Sequence, residues 1–150
     1  MSRPKVLVIE ENLELNGSLK AAYEEAGFDV ATAASVEAGL SRLRDFAPNL
    51  VLLELPPGSP AGQASLAALR QCGHAAVIFL VAPRDREAVP EALWQGASDC
   101  VVKPFHVREL IARTRAILRR RAVAPVVPAR PVPRLRPALI QRPKINPLLQ

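Results

Sequence analysis

No stretch of this chain is apolar enough to span a bilayer. The longest unbroken apolar run, Ala75 to Ala82, has eight residues, against the roughly 20 a spanning helix needs. Cysteine is scarce. Cys72 and Cys100 make no disulfide framework and have no metal-ligand spacing, so reduced, inert thiols are expected. There is no glycine-rich phosphate loop, no nucleophile elbow and no histidine placed as a base; His74 and His106 stand alone. Hydrolase and oxidoreductase readings therefore lack support, and the chain is expected not to be an enzyme. Acids are missing from residues 119–150, which carry eight basic side chains, whereas residues 1–118 carry 12 basic and 14 acidic ones. The net charge of +6 thus belongs to the C-terminal segment, not to the body of the chain. The N-terminus leads straight into an apolar run, so a cytoplasmic protein is expected, with no membrane partner.

What is present is an alternation. At 150 residues with 49% hydrophobic content, one domain with a sizeable core is expected. Short apolar runs occur at Lys5–Ile9, Phe28–Ala33, Asn49–Leu53, Ala75–Val81 and Asp99–Val102. Helical-length segments with three-to-four spacing lie between them. The first runs from about Asn12, an N-cap type, to Ala26 before Gly27, with Leu15, Leu19, Ala22 and Tyr23 inward. The second follows Ser35, with Leu40 and Leu43 inward, and stops before Pro48. A third spans about Gly62 to Cys72, and a short fourth lies near Pro90–Gln95, with Trp94 expected to pack it onto the sheet. The fifth runs from about Val107 to Arg120, with Leu110, Ile111, Thr114, Ile117 and Leu118 inward. Five strands alternating with five helices predict an α/β fold whose parallel sheet is covered on both faces. After Arg121 the pattern stops. Residues 122–150 hold seven prolines and five basic residues, and an extended or disordered tail is expected. Pro125-Val126-Val127-Pro128-Ala129-Arg130 reads either as a plain linker or as a proline-groove ligand.

Charged residues stand at the predicted strand ends: Glu10 and Glu11 after the first, Glu54 after the third and Lys103 after the fifth. Open α/β sheets bind ligands at that edge. Two readings stand for the acids, a solvated acidic rim and a residual cation site. Lys103 reads as their counter-ion.

Four pieces fall in order and at matching separations: Val6-Leu7-Val8-Ile9-Glu10-Glu11, Leu50-Val51-Leu52-Leu53-Glu54-Leu55, Gly96-Ala97-Ser98-Asp99 and Val102-Lys103-Pro104-Phe105. With Arg108-Glu109-Leu110 and Arg113 following, the chain resembles the receiver domain of bacterial two-component response regulators. The resemblance covers about residues 4 to 121, within one domain expected over residues 1–121, with residues 122–150 as the tail. It implies a flavodoxin-like fold with sheet order 2-1-3-4-5. It also implies an acidic pair and a central aspartate that hold Mg²⁺, the aspartate accepting a phosphoryl group from a histidine kinase. A hydroxyl on the fourth strand and the lysine would contact that phosphoryl, and the Lys103-Pro104 peptide would be cis.

Carried over by position, this sequence departs from that pattern. The acidic pair falls on Glu10 and Glu11, and the acceptor on Glu54. The hydroxyl position is Val81, the switch aromatic is Cys100, and only Lys103 is kept. The residue two after the acceptor, whose carbonyl normally faces the metal, is Pro56. Each glutamate reaches about 1.5 Å further than aspartate, which crowds a small octahedral ion. A nucleophile misplaced by about 1 Å can lose roughly 10²-fold. Losing a hydroxyl contact to a charged phosphoryl costs roughly 1.5–3 kcal/mol.

The expectation is a pseudo-receiver in a phosphorelay, independent of phosphorylation, with Glu54 reaching Lys103 directly and no cofactor. Glu11 and Glu54 remain as weak or lost Mg²⁺ ligands. Its partners would be proteins: a histidine kinase, a response regulator or an output protein. Two alternatives stand beside it, a phosphorylatable Mg²⁺-binding receiver using Glu54 and a nucleic-acid-associated regulator acting through the basic tail. Asp99 and Arg113 match a pair that joins two receivers across the fourth helix, fifth strand and fifth helix; the plain reading is an intrachain pair worth ~0–1 kcal/mol.

Overall fold

The computed structural model describes residues 3–123. The proline- and arginine-rich tail, with its proline-groove motif, lies outside the described residues, as does the Cys72 side chain. Residues Met1–Arg119 form one compact unit.

Five parallel strands make one sheet in the order β2-β1-β3-β4-β5. They are β1 (Lys5–Ile9), β2 (Asp29–Ala33), β3 (Leu50–Glu54), β4 (Ala76–Val81) and β5 (Asp99–Val102). Alternate side chains go to opposite faces because the strand period is two. Val6, Val8, Leu50, Leu52, Ile78, Leu80 and Val101 face one layer. Leu7, Ile9, Val51, Leu53, Val77, Phe79 and Val81 face the other. Residues on both faces are apolar, so the strands read as continuous runs in the sequence.

Helices α1 (Leu13–Glu25) and α6 (Val107–Val123) cover the first face. Helices α2 (Val36–Leu40), α3 (Leu43–Phe46), α4 (Pro60–Cys72) and α5 (Val89–Trp94) lie on the second side. Asn12 caps α1 by accepting from the N–H groups of Glu14 and Leu15, and Gly27, at φ 104, ends it. Ser59 caps α4 by accepting from Gly62 N–H, with Pro60 in the first turn. Gly62 is required there, since a Cβ would stand 2.3 Å from the Pro56 carbonyl oxygen. The expected inner positions hold: Leu19, Tyr23, Leu43, Leu110, Ile111, Thr114 and Ile117 are buried, and Leu15, Ala22, Leu40 and Leu118 are partly so.

Two expectations need correction. The second helix is two short ones, so six α-helices stand among the described residues where five were expected. The Ser41 hydroxyl donates to Ala38 O at 2.8 Å and Arg42 N–H bonds Gly39 O, which takes up local carbonyls and tightens the turn. The expected fourth helix forms as α5, and a 3-10 helix at Pro83–Ala88 precedes it. Trp94 does not pack on the sheet but is 63% exposed. Helix α5 has six residues and turns Ala92 inward, which leaves Trp94, about 200° further round, on the outside.

Candidate functional site

Strand order reverses beside β1, so the crevice between the carboxyl ends of β1 and β3 is the switch point where such sheets bind ligands. Glu10 follows β1 and Glu54 ends β3 there. Lys103 follows β5, and its N–H bonds Val81 O at 2.8 Å, which ties it to the end of β4. The Lys103-Pro104 peptide is cis.

The residues gather unequally. Lys103 Nζ lies 3.2 Å from Glu10 Oε1 and 3.9 Å from Glu54 Oε2. The lysine therefore reaches Glu54 as expected, but stands nearer to Glu10. Glu10 is 1% exposed. Its Oε2 accepts the Asn12 N–H at 3.1 Å, while Oε1 has no directed hydrogen bond. The ammonium near Oε1 is thus a charge partner without hydrogen-bond alignment, and the ion pair offsets only part of the cost of burying that carboxylate. Glu11 points outward and is exposed. Glu54 has its pKa raised above the ordinary carboxyl value, first by desolvation, then by Glu10 and Glu11, against the opposing pull of Lys103 and Arg84.

Val81, at the hydroxyl position, is fully buried among apolar neighbours and offers no donor. Cys100, at the switch position, is half-buried on β5, and burial followed by the Asp99 charge pushes its thiol up to about 11. It is protonated at neutral pH, which fits the packing role and not a reactive one. Asp99 and Arg113 pair within the chain, Nη1 to Oδ2 at 3.0 Å, and Arg113 also holds Glu109 at 3.0 Å.

The donor set does not suit Mg²⁺. Among the described residues, no three His, Cys, Asp or Glu side chains converge on one point that could hold a metal ion. The Pro56 carbonyl already accepts the Ser59 hydroxyl at 2.7 Å and the Ser59 N–H at 3.1 Å. Octahedral Mg²⁺ needs oxygens free to turn toward it; here one is bonded in its own loop, one carboxylate faces the ammonium and one faces solvent.

Two contributors went unread in the sequence. Asn16 is buried on the inner side of α1 and donates from Nδ2 to Glu10 O at 3.0 Å and to Ala33 O at 3.1 Å. It clamps the ends of β1 and β2, and so fixes where Glu10 starts. Its signal was a polar side chain three residues before Leu19, on the apolar stripe. Arg84 acts on Glu54 from beyond β4; nothing in its spacing marked it.

The fold agrees with that of known proteins. Residues 6–115 match the response regulator receiver domain family. The chain is 38% identical over 117 residues to the transcriptional regulatory protein AfsQ1 of Streptomyces coelicolor, covering 78% of this chain and 52% of that one. It is 37% identical over 118 residues to the CpxR homolog of Haemophilus influenzae, covering 79% and 52%. The receiver domain of the Francisella response regulator 1452 superposes with TM-score 0.69 at 28% identity, over 79% of this chain and 99% of that domain. The chain spans about half the length of the curated relatives it matches. By its strand order and the family match over most of its length, the chain belongs to the receiver-domain family of two-component response regulators.

Proposed function

We propose that this receiver works in two-component signalling through protein contacts, without accepting a phosphoryl group and without catalysing a reaction. The supporting observation is the occupied pocket. The Lys103 ammonium stands between Glu10 and Glu54, in the crevice where receivers of the family hold a metal and a phosphoryl. Phosphoryl transfer is almost wholly positioning plus charge neutralisation. Here the metal ligands are not gathered, the Val81 position has no donor, and a glutamate stands where the aspartate would attack. The partner would be a kinase, another response regulator or an output protein. The relatives named as transcriptional regulators suggest that the receiver's surfaces serve transcriptional control.

Incubation of the full chain with acetyl phosphate and Mg²⁺, followed by intact-mass measurement, tests this. The expected result is an unchanged mass. A stable gain of one phosphoryl group that disappears in Glu54→Gln would overturn the proposal.

A further inference from the structure

Helix α6 carries an arginine stripe that the pocket does not use. Arg108, Arg115 and Arg119 follow one another at seven and four residues. At 100° per residue they fall within about 40° of one line, rising about 10.5 Å and then about 6 Å along the axis. All three are exposed. Arg115 is partly engaged, donating to Ala26 O at 2.9 Å and lying 5.9 Å over the Phe28 ring. Arg108 and Arg119 make no ion pair among the described residues. Glu109, the acid of the helix, is turned away from the stripe and held by Arg113.

Helix stability does not account for this placement. Cations favour the C-terminal end of a helix, which suits Arg119. Arg108 is the second residue of α6, at the positive end of the dipole, where an unpaired cation is unfavourable. The neighbours along the stripe are Ala112, Ala116 and Ala122. Protein hot spots, although enriched in Arg as well as Trp and Tyr, sit among large desolvating neighbours, and only alanines flank these arginines. Lipid insertion needs a free apolar face, but Leu110, Ile111 and Ile117 are buried against the sheet. What remains are guanidinium forks, which match phosphate oxygens bidentately. The sequence after Arg119 adds seven more basic side chains and no acid.

We infer that this stripe of α6 is a binding surface for the phosphate backbone of nucleic acid. Recognition is independent of base sequence, because no aromatic ring is available on the stripe to stack on bases. It goes beyond a charged tail in assigning a rigid part of the footprint to the folded domain.

The test is fluorescence anisotropy of a labelled mixed-sequence DNA duplex against the full chain over a range of KCl. Arg108→Gln/Arg119→Gln is the working variant, since neither side chain bonds within the described fold. Arg42→Gln/Arg44→Gln removes the same charge elsewhere and serves as control. The expected result is salt-dependent binding whose log–log slope falls by about 1.8 in the stripe variant, about 0.9 per lost phosphate contact, with the control keeping the original slope. No binding at low salt, an equal loss in the control or an unchanged slope in the stripe variant overturns the assignment. So does polyglutamate or a phosphatidylserine vesicle binding as tightly as the duplex and losing as much in the stripe variant.

Discussion

Glu54 shows how burial and neighbouring acids outweigh a nearby lysine at one carboxyl. Its carboxyl is partly buried, crowded by Glu10 and Glu11, and its pKa is raised from 4.5 in spite of Lys103. The folded protein therefore binds this proton more tightly than the unfolded chain does. Stability is gained as pH falls through the raised value toward 4.5, and the ionised form is a net cost at neutral pH. Glu54→Gln is expected to raise Tm at pH 7 by on the order of 2 °C, a small effect because the group is a quarter exposed. The gain should shrink as pH approaches 4.5. Thermal melts from pH 4 to 8 check it, and a lowered Tm at pH 7 would show Lys103 to be the dominant neighbour. Glu10 was legible as a strand-end acid, but its burial was not. That depends on Asn16 and Lys103 arriving from distant parts of the chain.

At the scale of elements, α1 and α6 are joined by a polar contact inside an apolar layer. Tyr23 OH and Thr114 Oγ1 are 2.8 Å apart, and both residues are fully buried. Burial raises the Tyr23 pKa, so the phenol stays neutral and its hydroxyl needs the partner. Thr114→Val keeps the shape but leaves that hydroxyl unsatisfied, at an expected cost of about 1–3 kcal/mol. Adding Tyr23→Phe removes the orphan and should recover most of the loss. Urea denaturation of the two variants measures this, and a neutral Thr114→Val would mean that water reaches the phenol. The sequence placed both residues on inner stripes but said nothing of their meeting, because they lie 91 positions apart. Trp94 failed for the converse reason. Its size suggested core packing, yet the six-residue helix α5 turns Ala92 and, in part, Val89 inward, and Trp94 lies on the other side.

For the whole molecule, burial is greatest in β1, β3 and β4, whose middle residues are 0–3% exposed. Strands β2 and β5 form the edges and are more exposed along their length. Hydrogen exchange should accordingly be slowest at the amides of Leu7, Leu52 and Ile78, and should reach β2 and β5 earlier. Exchange read by NMR that protects β5 as well as β3 would indicate that the edge is covered in solution, as in a pairing through α5, β5 and α6. Asp99 and Arg113 satisfy each other within the chain, so such a pairing would have to exchange these contacts.

The sequence by itself determined the layered α/β fold, the strand ends on which the charged residues stand and the departures at Glu54, Val81 and Cys100. Those features follow from short-range patterns: two-residue alternation, helical spacing, caps and residue type. Tertiary structure alone decided which acid Lys103 stands nearest, that the Pro56 carbonyl is already bonded and that one arginine line of α6 has no acidic partner among the described residues. These depend on ångström-scale distances between side chains from separate elements, and ionic and hydrogen-bond energies change sharply over that range.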